Sequence, residues 1–332
     1  MFFKPSLNAP PPKHISIEPS SKCNLHCVMC SRETLAQKPL NKNMTLEEFR
    51  QIVDQFVEPE DVVLCGVGEP LLNKDIVEMV QYITDKGWIA NIINNGTLMT
   101  EEKAHQLIDA GIKRVTFSIH GGTPETHHII RRGSPKVDSL DRLYSNIRRF
   151  IEIRNERKAD VYVIANYLAA RQTVDEFPQT LQTAKEIGLD EVVALRLINV
   201  DGTLDHLAPS REQEKNMVQF RKVAKELGIK FSFWEGAGMC RELWDCVFVM
   251  SNGDVCPCDG WLYDKPPMGN LLQESFETMW NGPKYQELRS TFLNHELEWC
   301  KTCCLGGAFE SPFELVVDKV RRRASNLVQL MR

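Results

Sequence analysis

The sequence has no excess of basic residues, no long apolar segment and no apolar stretch near its first residue. Lys and Arg total 40 against 45 Asp and Glu, and the net charge of −5 argues against a nucleic acid or an anionic membrane as partner. No stretch reaches the roughly 18 apolar residues that a transmembrane helix needs, and a secretory signal peptide is not expected. These absences predict a cytoplasmic protein without a membrane partner.

Cysteine, in contrast, is abundant, with 11 cysteines among 332 residues. In a cytoplasmic protein this number indicates metal binding or catalysis rather than disulfides. Cys23, Cys27 and Cys30 have the spacing C-x3-C-x2-C. Three thiolates can bind three irons of a cubane iron–sulfur cluster and leave the fourth iron open for a substrate or cofactor. By spacing alone, a zinc site or a group of buried free thiols is an alternative.

Strands and helices are predicted to alternate from residue 13 to residue 227. Six predicted strands each precede a helix, and they cover residues 13–18, 61–65, 88–93, 114–119, 161–165 and 191–197. This alternation predicts a parallel sheet with right-handed crossover connections. Because a closed barrel of this kind needs eight such units, we predict an α/β fold with a partial (β/α)6 TIM-like barrel that is open on one side.

Polar and glycine-rich segments follow the predicted strands. The three spaced cysteines come after the first strand, residues 66–69 follow the second and residues 94–97 follow the third. Ser118 and His120 lie at the end of the fourth strand, Asn166 follows the fifth, and Arg196 lies near the end of the sixth. Ligands of parallel α/β folds bind at the carboxyl ends of the strands. We therefore expect these segments to meet at one site.

The cysteine segment also contains Asn24 and Leu25, and in this setting it resembles the signature of the radical S-adenosylmethionine (radical SAM) superfamily. It departs from the common pattern at Met29, where many relatives have an aromatic residue, although a Met side chain can also pack against adenine. The resemblance extends over roughly residues 13–235. It implies a [4Fe-4S] cluster with one open iron, S-adenosyl-L-methionine as cofactor, and a low-potential electron donor such as flavodoxin or ferredoxin.

Residues 66–70 resemble the glycine-glycine-glutamate motif of that superfamily, with Val67 inserted between Gly66 and Gly68. Glycine lets a backbone approach a ligand closely, and Glu69 is expected to accept a hydrogen bond from the methionyl ammonium group. A dinucleotide-binding loop and a plain turn are the alternatives. The resemblance also implies further contacts with the ribose or the methionyl carboxylate, by Asn95, Ser118, Arg131 or Arg132, Asn166 and Arg196.

The Asn and Ser residues among them could instead be turn or cap residues at strand ends. His120 either contacts the ribose or the substrate, or is a histidine of a surface loop. Cys65 is expected to pack inside a buried strand.

Seven of the cysteines lie between Cys240 and Cys304, where residues 246–258 predict a hairpin. This part of the chain resembles the auxiliary-cluster extension called SPASM, or its shorter relative, twitch. The match consists of Cys240-x12-Gly253-x4-Cys258, then Gly269-Asn270, Trp280 and Arg289, and finally Cys300-x2-Cys303. It implies one auxiliary [4Fe-4S] cluster held by Cys240, Cys258, Cys300 and Cys303, and a zinc ribbon is the alternative.

Cys246 has three candidate roles. It could replace Cys240 as a ligand, donate a hydrogen atom to a substrate radical as in some epimerases of the superfamily, or be a buried strand thiol. The four predicted segments of the chain are an N-terminal extension (1–12), the radical SAM barrel (13–235), a small cysteine-rich auxiliary-cluster domain (236–310) and a terminal helix (311–332).

Together the resemblances imply an enzyme that reductively cleaves S-adenosylmethionine and uses the 5′-deoxyadenosyl radical to abstract a hydrogen atom. Peptide maturases often carry an N-terminal recognition domain, so the short segment before the first strand favours a small carbohydrate-like or aminocyclitol substrate, which is oxidised by two electrons or epimerised. The alternatives are a maturase of a ribosomally made peptide or protein side chain, a zinc-stabilised binding module, and an electron-transfer protein without a substrate.

Overall fold

The computed structural model describes residues 5–34, 39–195, 197, 203–233, 240–261 and 265–301. The predictions for Arg196, Cys303, Cys304 and the terminal helix lie outside these residues. Within the described ranges, no helix is long and apolar enough to cross a membrane.

The described residues form nine strands in one sheet. The strands are β1 (His14–Ile17), β2 (Asp61–Leu64), β3 (Ile89–Asn94), β4 (Arg114–Ser118), β5 (Tyr162–Leu168), β6 (Glu191–Leu195), β7 (Lys230–Phe233), β8 (Cys246–Val249) and β9 (Val255–Cys256). Their order across the sheet is β7-β6-β5-β4-β3-β2-β1-β8-β9. Every neighbouring pair is parallel except β8 and β9, which are antiparallel. The predicted open α/β barrel is thereby confirmed.

Helices follow most of the parallel strands. They are α1 (Ser31–Thr34), α2 (Leu46–Val53), α3 (Ile76–Asp85), α4 (Glu101–Asp109), α5 (Pro124–Arg131), α6 (Leu140–Glu156), α7 (Phe177–Ile187), α8 (Arg211–Leu227), α9 (Glu242–Asp245), α10 (Phe276–Trp280), α11 (Pro283–Leu293) and α12 (Glu298–Lys301). Short 3-10 helices cover Pro70–Leu72, Val174–Glu176, Asp205–Leu207 and Asp259–Trp261.

Local sequence explains where these helices begin and end. Thr45 begins α2 as a capping box, because its hydroxyl accepts a hydrogen bond from the Glu48 N–H while the Glu48 side chain accepts one from Thr45 N–H. Gly188 and Gly228 end α7 and α8 in the left-handed conformation that glycine adopts without steric cost.

The two faces of the sheet differ in burial, and this difference positions the site. In β3, Ala90, Ile92 and Asn94 are buried, whereas Asn91 and Ile93 are partly exposed. The buried apolar residues of the strands join apolar residues of the helices in one core. Side chains of alternate strand residues therefore face helices on one side and an accessible inner surface on the other.

The structure differs from the predicted fold in three places. A seventh parallel strand, β7, follows Gly228 and pairs with β6. The predicted hairpin is present as β8 and β9, but β8 also pairs in parallel with β1, so this part of the auxiliary-cluster segment extends the main sheet. Cys65 does not lie inside β2; it is the first residue after that strand and is half-buried.

Candidate active site

The cysteine loop (residues 23–30) follows the carboxyl end of β1 and is fixed by backbone hydrogen bonds to neighbouring segments. Glu69 N donates to Lys22 O at 2.6 Å, directly before the loop. Val28 N donates to Ile130 O at 2.9 Å, near the end of α5. The loop is therefore tied to the segment after β2 on one side and to α5 on the other.

Cys23, Cys27 and Cys30 are free, half-buried thiols. Burial raises the pKa of Cys27 to about 12 and that of Cys30 to about 11, and the charge of Cys23 adds to both, so the three sulfurs are electrostatic neighbours. Thiols with such raised pKa values are protonated near pH 7, and a bound cation such as iron would stabilise their thiolate forms; their number fits three ligands of a [4Fe-4S] cluster. Within the described ranges, no three His, Cys, Asp or Glu residues form a group that could hold a single metal ion.

The glycine loop (residues 66–69) approaches other parts of the protein so closely that only glycine fits at two positions. A Cβ atom on Gly66 would lie 2.4 Å from the Cγ atom of Glu18. A Cβ atom on Gly68 would lie 2.0 Å from Ser20 O and 2.6 Å from Lys22 O. The sequence analysis attributed both glycines to the approach of a ligand, whereas these contacts are with the chain itself.

Glu69 ends the glycine loop and is buried. Its Oε1 atom accepts a hydrogen bond from Leu71 N at 2.9 Å, and its Oε2 atom accepts one from Asn95 N at 2.7 Å. Burial raises the pKa of Glu69 to about 7, although these two bonds and the Arg131 charge oppose the rise. Each oxygen retains a second lone pair, so the carboxylate can still accept a hydrogen bond from an ammonium group.

Asn95 links the end of β3 to the cysteine loop. Its Nδ2 atom donates to Asn24 Oδ1 at 2.8 Å, and Asn24 Nδ2 donates in turn to Thr97 Oγ1 at 2.9 Å. The Asn95 Oδ1 atom accepts a hydrogen bond from Thr97 N at 3.0 Å. Both polar atoms of the Asn95 amide are therefore bonded within the protein, and the residue positions the cysteine loop.

Arg131, predicted with Arg132 as an alternative partner of the methionyl carboxylate, already has its guanidinium paired within the protein. The side chain is fully buried and pairs with Asp138, with Nε–Oδ2 at 3.0 Å and Nη2–Oδ1 at 2.8 Å. Its remaining donors reach Asn95 O and Ser118 O, at the ends of β3 and β4. This geometry favours a role in holding strand ends together, and the neighbouring Arg132 is exposed.

Ser118 and Asn166 are brought together. They are register partners in β4 and β5, and both are partly exposed on the inner surface of the sheet. His120 is not a surface histidine, because its Nδ1 atom accepts a hydrogen bond from Leu168 N at 3.3 Å. Burial, together with the charges of Arg131 and His127, lowers the pKa of His120 to about 3, so its imidazole is neutral near pH 7.

Met29 is partly buried and packs against an apolar cluster that includes Ile130, Leu168 and Leu197. Contact with adenine, which the sequence analysis assigned to Met29, stays a prediction. The cluster places an apolar wall beside the cysteine loop, and such a wall suits a flat aromatic ring.

The auxiliary region (residues 240–301) contains three of the four predicted ligands of the second cluster. Cys240, Cys258 and Cys300 are partly buried and form no disulfide among the described residues. In the hairpin, Phe248 pairs with Cys256 and Val249 with Val255, and Cys258 follows β9 by two residues. Cys246 begins β8, the strand that pairs with β9, so it belongs to the same hairpin segment as this predicted cluster ligand.

Three buried polar atoms of the auxiliary region have no hydrogen-bond partner among the described residues, namely Ser251 Oγ, Tyr285 Oη and Arg289 Nη2. Burial raises the pKa of Tyr285, and the charges of Cys256 and Cys258 contribute, so the hydroxyl lies near these cysteines. Buried donors normally find acceptors. Orphaned donors beside cysteines fit an anionic iron–sulfur cluster held by thiolates.

Cys246 is not brought to the cysteine loop. It is the register partner of His14, at the start of β1, whereas the cysteine loop follows the other end, where Ile17 pairs with Val249. Three residue steps along a strand span about 10 Å. The structure therefore favours a place in the auxiliary region for Cys246 over a hydrogen-donor role at the cofactor site.

Sequence reasoning missed two residues that organise the site, Glu18 and Asp138. Glu18 is a charged residue directly after β1, where the chain enters the cysteine segment, and a carboxylate at that strand end was a signal that could have identified it. Asp138 lies in a polar loop after Arg131, and no spacing in the sequence marks it as the partner of a buried guanidinium.

The comparisons with known proteins support both cysteine regions. The family described as Radical SAM superfamily matches residues 17–184, just over half of the chain. The iron-sulfur cluster-binding domain called SPASM matches residues 240–304. These matches confirm the two resemblances, and with them a [4Fe-4S] cluster, S-adenosylmethionine and auxiliary iron–sulfur binding. The residue-level ligands stay predictions.

Three similar proteins indicate the range of relatives. The chain is 27% identical over 317 residues to the AdoMet-dependent heme synthase of Methanosarcina barkeri, covering 84% of this chain and 85% of that protein. It is 25% identical over 322 residues to the PqqA peptide cyclase of Xanthomonas campestris pv. campestris, covering 89% and 80%. The crystal structure of Streptococcus suis SuiB bound to precursor peptide SuiA superposes with a TM-score of 0.66 at 17% identity, covers 90% of this chain and 70% of that chain, and shows a shared fold.

Proposed function

The chain belongs to the radical SAM superfamily and is therefore an enzyme, and we propose that it modifies a ribosomally made peptide or a protein side chain. The observation that carries this proposal is the similarity to a PqqA peptide cyclase over 89% of the chain. The carbohydrate-like substrate that the sequence analysis expected has no comparable support. The open sheet is consistent with a large substrate, because one side of the inner surface is not closed by further strands in the described residues.

The protein's own residues hold and orient the cofactor in this proposal. Cys23, Cys27 and Cys30 bind three irons of the cluster, and Glu69 accepts a hydrogen bond from the ammonium group of S-adenosylmethionine. When bound, cluster and cofactor supply the one-electron chemistry that removes a hydrogen atom from an unactivated C–H bond. Ser118 and Asn166 line the inner surface next to this site and contact the ribose.

We assign a two-electron oxidation rather than epimerisation: the 5′-deoxyadenosyl radical would take one hydrogen atom from the substrate, and the auxiliary cluster would accept the second electron while the substrate releases a proton. Epimerisation requires a residue that returns a hydrogen atom to the substrate, and Cys246 was the candidate. Its place at the far end of β8 separates it from the cysteine loop. A low-potential protein such as flavodoxin or ferredoxin would serve as electron donor.

A second candidate function follows from the heme synthase relative, which matches the chain over 84% of its length. A tetrapyrrole is rigid, planar and acidic, whereas a peptide is extended and variable, so the two substrates can be distinguished directly. Both use the same cofactor site, and the difference lies in what the inner surface accepts.

The test compares the two substrate classes under anaerobic conditions. Reconstituted and reduced protein is incubated with S-adenosylmethionine and either a pool of synthetic peptides or a porphyrin with carboxylate side chains. Formation of 5′-deoxyadenosine and loss of hydrogen from the substrate are followed by mass spectrometry. The proposal predicts peptide-dependent turnover, and turnover with the porphyrin alone would replace it with the second candidate.

A further inference from the structure

Glu18 is the residue directly after β1, and its side chain is completely buried. Its two carboxylate oxygens bind different segments of the chain. Oε1 accepts a hydrogen bond from Val67 N in the glycine loop at 3.0 Å, and Oε2 accepts one from Ser251 N at 3.1 Å. The Glu18 backbone N–H also donates to Val249 O at 2.8 Å. Glu18 thus connects the end of β1, the glycine loop and the turn between β8 and β9.

A buried carboxylate of this kind is costly to move. Removing an ionised group from water is unfavourable unless hydrogen bonds replace the lost hydration, and here two backbone N–H groups do so. Hydrogen bonds to an ionised acceptor are also stronger than those between neutral groups. The position of Val67 is therefore coupled to that of Glu18, and Glu69 lies only two residues further along the same loop.

The three atoms nearest to a Cβ atom built on Gly66 all belong to the side chain of Glu18. A Cβ atom on Gly66 would lie 2.4 Å from Glu18 Cγ, 2.6 Å from Oε1 and 2.9 Å from Cβ. Gly68 differs, because its Cβ atom would meet the backbone of Ser20 and Lys22. The steric conflict at residue 66 can therefore be relieved by changing the Glu18 side chain. The conflict at residue 68 involves backbone atoms and cannot be relieved by a substitution.

We propose that Glu18 is a positioning residue for the cofactor, and that residue 66 is glycine because of Glu18 rather than because of the cofactor. Glu18 fixes the position of the glycine loop, and with it the position of the Glu69 carboxylate. It also links this loop to the hairpin of the auxiliary region. The inference rests on the proposed role of the glycine loop in binding S-adenosylmethionine, and it is independent of the substrate.

A double-mutant cycle tests the proposal. The four proteins are the wild type, Glu18→Gly, Gly66→Ala and the double variant, each loaded with iron and sulfide. Affinity for S-adenosylmethionine is measured by anaerobic calorimetry, and iron content and thermal unfolding are recorded in parallel. Each single variant is expected to weaken binding about tenfold, because it moves the loop or removes its anchor.

The double variant carries the decisive result. Glu18→Gly removes the three atoms nearest to a Cβ atom at position 66, each of which would lie within 2.9 Å of it, so Gly66→Ala should cause no further loss of affinity in that background. If residue 66 is glycine because the cofactor approaches it, Gly66→Ala weakens binding by the same factor in both backgrounds, and the proposal is overturned.

Glu18→Gln is the matched variant that keeps the shape and the Cγ atom. In this background Gly66→Ala should retain its full effect. Glu18→Gln alone should weaken binding with unchanged iron content, because its amide places an N–H group against a backbone N–H group. Binding equal to that of the wild type would contradict the positioning role, even if Glu18→Gly does not fold.

Glu60→Gln serves as the control, because Glu60 is an exposed carboxylate that pairs with Lys13 before β2. It should bind S-adenosylmethionine as the wild type does. A wild-type protein that fails to bind the cofactor would refute the cofactor site itself. Normal wild-type binding without any effect of the Glu18 variants would refute only this inference.

Discussion

The cofactor end of the sheet and the auxiliary region both contain cysteines for iron, but they satisfy their buried polar groups differently. At the cofactor end, Glu69, Asn95 and Arg131 all have hydrogen-bond partners within the protein. In the auxiliary region, Tyr285 Oη and Arg289 Nη2 have none among the described residues. Glu69, Asn95 and Arg131 are thus held by the protein itself, and His127 Nδ1 beside Asp138 is the unsatisfied atom at this end among the described residues, whereas Tyr285 and Arg289 have donors left for a cluster.

Among the variants that test this difference between the two regions, Asp138→Asn should have the largest effect on stability. The substitution removes the charge that neutralises buried Arg131, and breaking a buried ion pair in this way costs about 3–5 kcal/mol of the free energy of unfolding. The effect should appear in cluster-free protein, because the pair organises the site without iron. Urea unfolding measures it.

The control for that experiment is Asp160→Asn, since Asp160 pairs with Lys113 at the surface and is 94% exposed. Its removal should leave the urea midpoint nearly unchanged. Equal midpoints for the Asp138 and Asp160 variants would show that the cofactor end does not depend on its internal ion pair.

Tyr285→Phe should affect the auxiliary region only when the cluster is bound, whereas Asp138→Asn should affect the cluster-free protein. The cluster-free protein should lose no stability, because the hydroxyl has no hydrogen-bond partner in the part of the chain that the structure describes. In the loaded protein, loss of a hydrogen bond to the cluster should lower its reduction potential by roughly tens of millivolts. A redox titration followed by electron paramagnetic resonance measures the change.

Tyr144→Phe is matched to this variant, because the Tyr144 hydroxyl in α6 is also buried without a partner. It lies near Glu176 rather than near cysteines, and its removal should leave the potential of the auxiliary cluster unchanged. An equal shift in both variants, or in neither, would contradict the assignment of Tyr285 to the cluster.

The smallest expected effect is a pH dependence at the cofactor end. The pKa of Glu69 rises from 4.5 to about 7 through burial. The free energy of unfolding should therefore fall as the pH rises from 4.5, the pKa of Glu69 in the unfolded chain, to about 7, its pKa in the folded protein. Above that pH, Glu69 should change the stability little. Affinity for the ammonium group of S-adenosylmethionine should rise with pH through the same upper value, because only the ionised carboxylate attracts it strongly.

Calorimetric titrations at several pH values check this prediction, with Glu69→Gln as control. The variant has the same shape but cannot ionise, so its weaker affinity should not depend on pH near 7. A pH dependence that persists in Glu69→Gln would assign the titration to another group.

The sequence predicted those parts of the site that depend on the order of elements. The cysteine loop, the glycine loop and Ser118 follow parallel strands, and the rule that ligands bind at strand ends places them together without any knowledge of side-chain contacts. The fold class followed from the same alternation. Such arguments succeed because strand order and crossover handedness are strongly restricted.

The contacts that organise the site could not be read in this way. Glu18 accepts a hydrogen bond from Ser251 N, which lies 233 positions later in the sequence. In the same way, β8 pairs with β1 although it lies more than 200 residues later. The burial of Arg131 depends on Asp138, a residue without any pattern of its own. Tertiary pairing of this kind has no local period, so it appears only in the folded structure.

We expect the cysteine loop to support cleavage of S-adenosylmethionine to 5′-deoxyadenosine independently of the auxiliary cysteines. The most direct measurement is formation of 5′-deoxyadenosine from S-adenosylmethionine by anaerobically reconstituted, dithionite-reduced protein, compared between the wild type, Cys30→Ala and Cys258→Ala. We predict 5′-deoxyadenosine from the wild type and from Cys258→Ala, and none from Cys30→Ala. Absence of the product with the wild type, or equal loss in both variants, would contradict the claim.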